Sequence, residues 1–406
     1  MYRKIFILIS LSVILVVLSA FTIQELKQFK TAKADYEQVT KASTKKVVKS
    51  KNRPRTTEAT TTETSQAKIS DERSIFEEEQ VLTEAVYAKK TLEGSEVGKD
   101  ILPIGTVVSV EKVEGNEDWV QIKSDPKKGF IEKKILKPRQ SYIDEREDKR
   151  QAKLSKQEFK QVVDQKLNHF VKEKGGNISI YVESTDDKFS YSFYGDEVKR
   201  TASSIKLPFI AYLMTLVDQN KVDLNRQLTY TANYKMDGTG IIQFEPIGTQ
   251  YSIGKLAELV IRYSDNVAYI MLLNYLGESN FIQYLKELDP NSPNNRAHST
   301  SIILTKAMEY VNENKDKSTN IMTLYKWLQT SIFDDGVAVG LPGVDVNHKT
   351  GWMPMYAVSN DIALVKDKKN PYYITIMTTG YDQSYSELVI GDLAKIIDDN
   401  MLELAV

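Results

Sequence analysis

The pattern of apolar and polar positions divides the chain into three regimes. Ile5–Ile23 carries no charge and is rich in Ile, Leu and Val, behind Arg3 and Lys4. That run is long enough to span a bilayer. Leu18-Ser19-Ala20 is a poor cleavage site, so an uncleaved signal anchor is expected at 5–23, after a tail at 1–4. Residues 24–80 hold few apolar positions; Lys45–Arg55 is basic and Thr56–Ser65 is almost all Thr, Glu and Ser. Such composition predicts a disordered linker.

A second pattern starts at Leu82. Val107–Val110 and Trp119–Ile122 are short β-branched or alternating runs separated by Glu114-Gly115-Asn116-Glu117-Asp118, and Gly129-Phe130-Ile131 follows. These spacings predict a small all-β unit over 82–138, with Trp119 in its core rather than on a ligand platform. A densely charged connector, helical or flexible, is expected over 139–156.

The third regime covers 157–406. Phe159, Val162, Val163, Leu167, Phe170 and Val171 form one stripe of a helix over Gln157–Lys174, which Gly175-Gly176 ends. Asn177–Glu183 and Lys188–Tyr194 predict a hairpin. Tyr356–Val365 and Pro371–Thr379 predict strands, and Tyr385–Glu403 a last helix. The middle, from Ser203 to about Ile332, has mostly helical periodicity. A sheet drawn from both ends of a segment, with helices inserted between, is an α+β layout.

Composition narrows the chemistry. The chain of 406 residues has a formal net charge of −1, which gives no footprint for nucleic acid, and no cysteine, which excludes disulfides, thiolate catalysis and Cys-bound zinc. His169, His298 and His348 lack metal-ligand spacing. What remains is hydroxyl and amine chemistry. Ser203 and Lys206 form Ser-x-x-Lys just before the apolar run Phe209–Val217. If a helix begins at or near Ser203, the two side chains share one face. A lysine with a depressed pKa can take the serine proton, and the free N–H groups of a first turn suit an oxyanion. Alone the motif equally describes a capped amphipathic helix.

Two further triplets change that reading: Ser264-Asp265-Asn266 between helical stretches, and Lys349-Thr350-Gly351 before Trp352. Each alone fits a helix cap or a strand terminus. In this order, with Arg262-Tyr263 and Val267-Ala268 around the second and Gly340-Leu341-Pro342-Gly343 before the third, the segment 157–406 resembles the class A β-lactamase and penicillin-binding serine hydrolase superfamily. Residues 82–138 are similar to a bacterial SH3-like (SH3b) domain, through Ile104-Gly105-Thr106-Val107-Val108-Ser109-Val110, Asp118–Ile122 and Lys128-Gly129-Phe130-Ile131.

The first resemblance implies a β-lactamase-like α+β fold and a role for each motif residue. Ser203 would be the acylated nucleophile, Lys206 its base, and Ser264 the relay to the leaving nitrogen. Asn266 would hold the substrate amide; Lys349 and Thr350 would hold its carboxylate. Gly351 would leave room for substrate along the strand, and the backbone N–H groups of Ser203 and Trp352 would form the oxyanion hole. No metal or organic cofactor is implied. The substrate would be a β-lactam or a peptidoglycan stem peptide ending in D-Ala-D-Ala-like amides. The SH3b resemblance implies either a cell-wall binder or a spacer.

One expected part is missing. Hydrolytic members of the superfamily carry a glutamate, usually as Glu-x-x-Leu-Asn, in a loop between the second and third motifs. Here Leu288–Thr300 occupies that place without a glutamate, and Asp289 and His298 are its candidate bases. Acylation with slow release is therefore expected. The alternative is a cell-wall binding protein that keeps the fold without turnover. Lys27, Lys30, Lys33 and Lys41 would by charge alone hold the chain in the cytoplasm. Long domains translocate largely regardless of such charges, so wall chemistry predicts a single-pass membrane protein with its catalytic domain outside.

Overall fold

The computed structural model describes residues 75–405, except 84–85, 95, 103–105, 124–128, 187–188, 334 and 382–384. The expected anchor at 5–23 and residues 24–74 of the expected linker lie outside the described residues, as do Ile104, Gly105 and Lys128 of the SH3b resemblance. No helix among the described residues is long and apolar enough to cross a membrane. The last part of the expected linker is folded. Gln80–Leu82 is a strand between Val107–Val108 and Leu136–Pro138, because Val81 and Leu82 are buried there.

The segment after it is all-β. A five-stranded antiparallel sheet runs in the order Val97–Leu102, Val86–Lys89, Phe130–Glu132, Asn116–Ile122, Val110–Val113. Leu82, Val108, Val110, Val120, Ile122 and Ile131 form its core. Trp119 is only half-buried, with Lys89 Nζ 4.3 Å from its ring centre, so it does not sit within that core.

The charged connector is a helix, Arg139–Lys149, fixed to the last helix of the chain, Ser386–Glu403. Arg146 donates to Asp398 through both Nη atoms and lies 3.4 Å from Asp367, and Arg150 donates to Asp367 at 2.5 and 2.8 Å. Its charges are therefore not only a solvated face; some are buried partners.

Five antiparallel strands form the main sheet: β1 Asn177–Ser184, β2 Ser190–Phe193, β3 Val346–Met353, β4 Val358–Val365 and β5 Tyr372–Thr379, in the order β2-β1-β5-β4-β3. Side chains alternate across a strand. Ile178, Ile180, Val182, Ile374 and Ile376 face one core, shared with Phe159, Val163 and Leu167 of the helix Lys156–Lys174 and with Leu393 and Ile397 of the last helix. Ser155 caps the first of these helices in a reciprocal box with Glu158. The alternate residues meet the helical subdomain through small polar contacts: Ser179 lies 2.9 Å from Ser301, and Thr375 lies 2.7 Å from Thr305. That subdomain surrounds Lys206–Asp218, whose Leu207, Phe209, Ile210, Ala211, Leu213 and Met214 are all buried. A helix apolar on every side needs neighbours on every side. The turn at its N-terminus packs against β3, the edge strand of the sheet among the described residues.

Candidate active site

The turn at Ser203 departs from the expected helix start. Ala202–Ile205 is a 3₁₀ turn, and α-helix begins at Lys206. Ala202 has a positive φ of 46°, which an α-helix cannot include. Thr201 O accepts the Ser204 N–H at 3.2 Å and the Ser204 hydroxyl at 2.5 Å, which closes the turn. In a 3₁₀ turn residues three apart eclipse, so Ser203 and Lys206 keep one side. Ser203 is partly exposed and Lys206 is buried.

The second motif caps the helix Asn266–Leu276 and also delivers its side chains to Lys206. Asp265 Oδ1 accepts from Ala268 N at 2.9 Å, while Oδ2 accepts from Ile241 N at 2.7 Å and Ile242 N at 3.0 Å. A cap that also gathers two loop amides fixes its neighbours on both sides. Ser264 takes a φ of 48° and turns its carbonyl and hydroxyl inward. Lys206 Nζ lies 2.6 Å from Ser264 O, 3.2 Å from Ser264 Oγ and 2.7 Å from Asn266 Oδ1. Burial, then the charge of Lys349, lowers the Lys206 pKa well below its ordinary value, with Asp265 opposing.

The third motif lies within the edge strand β3, not at a strand terminus. Lys349 Nζ reaches Ser264 Oγ at 3.2 Å and the carbonyl of Thr350 at 2.8 Å. Two lysines thus meet on one hydroxyl. Burial pushes Lys349 down to about 8, against the pull of Asp361 and Asp335. Gly351 faces the Ser203 turn: a Cβ there would stand 2.9 Å from Ser203 N and from Thr201 O. The space left by its missing side chain is filled by that backbone, so close approach of strand and turn is the reason for glycine here, rather than room for substrate. Trp352 follows on the same edge and is 38% exposed.

Several site residues gave no motif signal. Asp237 O accepts from Asn266 Nδ2 at 3.2 Å, Thr239 Oγ1 donates to Ser264 O at 2.7 Å, and Thr239 O accepts from Asn266 N at 3.0 Å. Gly238 and Gly240 allow this approach with φ of 113° and 110°; a Cβ on either would strike Asn266 or Asp265. The Asp-Gly-Thr-Gly run at 237–240 was the available signal. His348 Nδ1 lies 2.9 Å from Asp361 Oδ2, which also accepts from Val337 N at 2.9 Å. Burial would lower the imidazole, but Asp361 and then Asp335 outweigh it and raise its pKa.

The loop at 288–300 is strapped to the strand Lys199–Arg200, just before the Ser203 turn. Lys199 and Arg200 pair with Ser299 and His298, and Thr201 donates from N to Ala297 O at 3.0 Å and from Oγ1 to Arg296 O at 2.9 Å. Asp289 is engaged elsewhere: Lys306 Nζ lies 2.5 Å from Oδ2, and Oδ1 accepts from Asn291 N at 2.8 Å. Burial would raise that carboxyl, but these partners hold it below its ordinary value. The His298 ring is turned to Asn295, with Nδ1 3.1 Å from Oδ1.

Comparison with known proteins identifies the family and the fold. The chain is 23% identical over 276 residues to a beta-lactamase of Bacillus licheniformis, covering 62% of this chain and 85% of that one. It is 25% identical over 263 residues to beta-lactamase ROB-1 of Haemophilus influenzae, covering 57% and 82%. The structure of PBP-A is similar in fold, with a TM-score of 0.54 at 22% identity, over 58% of this chain and 94% of that one. Residues 162–401 match the beta-lactamase enzyme family. With more than half of its length inside that match, the chain belongs to the beta-lactamase enzyme family.

Proposed function

We propose that this protein is an active-site serine acyl-enzyme, acylated at Ser203 by a β-lactam or by a D-Ala-D-Ala-like cell-wall peptide, and slow to release the acyl group. The observation that carries this reading is the chain of contacts Lys206, Ser264 Oγ, Lys349, each step 3.2 Å. A neutral Lys206 has two N–H bonds, for Ser264 O and Asn266 Oδ1, and one lone pair for a proton. Ser203 Oγ attacks the amide carbonyl and its proton passes to Lys206. An O–C bond forms, the C–N bond breaks, and the proton reaches the leaving nitrogen through the Ser264 hydroxyl. Ser203 N and Trp352 N would hold the oxyanion. Lys349 as an ammonium, with Thr350, would hold the substrate carboxylate, and Asn266 its amide.

Slow release is supported by the loop at 288–300, which supplies no glutamate and whose Asp289 is paired with Lys306. The same observation favours the second reading, a wall-binding protein without turnover. A gel with labelled penicillin separates the two. Label on the wild type, lost in Ser203→Ala, is the expected result; an unlabelled wild type would sink the acyl-enzyme reading. Nitrocefin turnover far above background would contradict slow release.

The rest of the chain fits a wall enzyme. An anchor at 5–23 would place the catalytic domain outside the membrane, and the all-β unit at 82–138 would act as an SH3b-like wall binder. Membrane fractionation with protease accessibility tests the first. Pulldown of the 82–138 segment, within the full chain, on purified peptidoglycan tests the second.

A further inference from the structure

Asn360, in the middle of β4, is 1% exposed and belongs to none of the three motifs. It lies opposite Gly351 in the β3–β4 ladder. Its side-chain amide is fully engaged: Nδ2 donates to Arg200 O at 2.8 Å and to Thr201 O at 3.0 Å, while Oδ1 accepts from Thr378 N at 3.3 Å. Both amide hydrogens and the amide oxygen are therefore used, and the third partner, on β5, fixes which way the amide points.

We propose that Asn360 is a positioning residue for the nucleophile turn, holding the peptide before Ala202 so that Ser203 presents its hydroxyl and its backbone N–H toward one point. Thr201 O receives three donors: Asn360 Nδ2, Ser204 N and Ser204 Oγ. That carbonyl precedes Ala202, whose positive φ is unfavourable for an alanine and persists only where surroundings over-determine it. Gly351 leaves the turn free to lean on β3, and Asn360 pulls it there from the next strand. Without the Asn360 amide, the buried carbonyl of Thr201 and the part-buried carbonyl of Arg200 lose a donor, and Ala202 can relax to an ordinary φ. The Ser203 N–H would then rotate away from the strand edge. A misplacement of about 1 Å costs roughly 10²-fold in rate. Substrate binding through Lys349, Thr350 and Asn266 is untouched, because none of these bonds to Asn360.

This inference rests on Ser203 being acylated, and the test separates the two. Wild type, Asn360→Asp, Asn360→Ser and Ser204→Ala are made in the full chain. Stopped-flow reaction with a fluorescent penicillin resolves the Kd of the first complex from the acylation rate, and each folded variant is crystallised. The expected result is an acylation rate lower by about 10²-fold in the Asn360 variants and lower to a smaller extent in Ser204→Ala. Kd stays within a few-fold, and Ala202 loses its positive φ. An unchanged acylation rate in folded variants overturns the assignment, as does a rise in Kd that accounts for the whole loss. If the wild type takes no label, the acyl-enzyme reading fails on its own. The crystal structures still decide the clamp: a turn unmoved in Asn360→Asp and Asn360→Ser refutes it.

Discussion

Gly351 stands where a side chain would meet Ser203: a Cβ at this position would lie 2.9 Å from the Ser203 backbone nitrogen. The third motif and the first are thus in backbone contact, and neither can shift without the other. Gly351→Ala should push β3 off the Ser203 turn. The expected cost is about 1–3 kcal/mol of stability and roughly 10²-fold in acylation rate. Thermal unfolding and stopped-flow labelling would measure both; acylation at the wild-type rate would show that the turn is not held by this contact.

Lys349 gives a pH dependence. Its pKa is pushed down to about 8 from an ordinary 10.5. Below about pH 8 it is an ammonium and above that it is neutral, so if it holds the substrate carboxylate as proposed, substrate Kd should rise as pH passes 8. The stability effect has the opposite direction. Between 8 and 10.5 the unfolded chain holds a proton that the folded one does not, so this group's contribution to stability rises with pH across that window. Its cost to the fold is fully present below 8. Lys349→Met should therefore remain folded and unfold at a higher temperature at pH 7, while substrate binding is lost. A lower unfolding temperature would mean that the Ser264 and Thr350 contacts outweigh the burial of the charge.

Arg146 joins the connector helix to the last helix through Asp398 and to the segment between β4 and β5 through Asp367, and both partners are buried. Arg146→Ala leaves two carboxylates in the interior with fewer counter-charges and should cost about 3–5 kcal/mol, read by urea denaturation. Despite the pair, burial leaves Asp398 above the ordinary carboxyl range, so Arg146 only partly compensates it. Burial would raise Asp367 as well, but Arg150 and two backbone amides outweigh it and hold it at about 2, below its ordinary 3.8. Its stabilisation is complete above 3.8 and is lost as pH falls through 2. Arg150→Ala should flatten that acid limb; an unchanged acid profile would exclude this pair as its source.

Asp265 binds one helix amide and two loop amides. Asp265→Ala removes all three bonds, at about 1–3 kcal/mol for each buried donor left alone. The loop at 237–242 should loosen, and acylation should fall more than stability, because Asn266 loses its partners at Asp237 and Thr239. Hydrogen exchange at Ile241 and Ile242 would report this directly; protection equal to wild type would show that the loop is held by other contacts.

The helices and strands of the β-lactamase-like domain are readable because their apolar periods are undiluted. Lys156–Lys174, Tyr372–Thr379 and Ser386–Glu403 each lie within one residue of the expected bounds. The strand expected over Tyr356–Val365 begins two residues later, at Val358, because Pro354–Tyr356 forms a 3₁₀ turn and Ala357 takes a φ of 49°. The Thr201–Lys206 segment misled for a related reason: a motif fixes spacing, but one positive φ at Ala202 decides where the helix begins. The connector was ambiguous because dense charge describes both solvated and buried ionic helices until partners are known.

By itself the sequence determined the local matters: which segments alternate with period two or near 3.6, the absence of thiol chemistry, and the order of Ser203-x-x-Lys206, Ser264-Asp265-Asn266 and Lys349-Thr350-Gly351. Tertiary structure alone decided what those residues meet. Lys206 and Lys349 are 143 positions apart in number and share one hydroxyl. Asn360 and Thr201 share a hydrogen bond across 159 positions. Such contacts depend on how a sheet edge is set against a helix N-terminus, and that setting follows from packing of the whole domain, which no local pattern encodes.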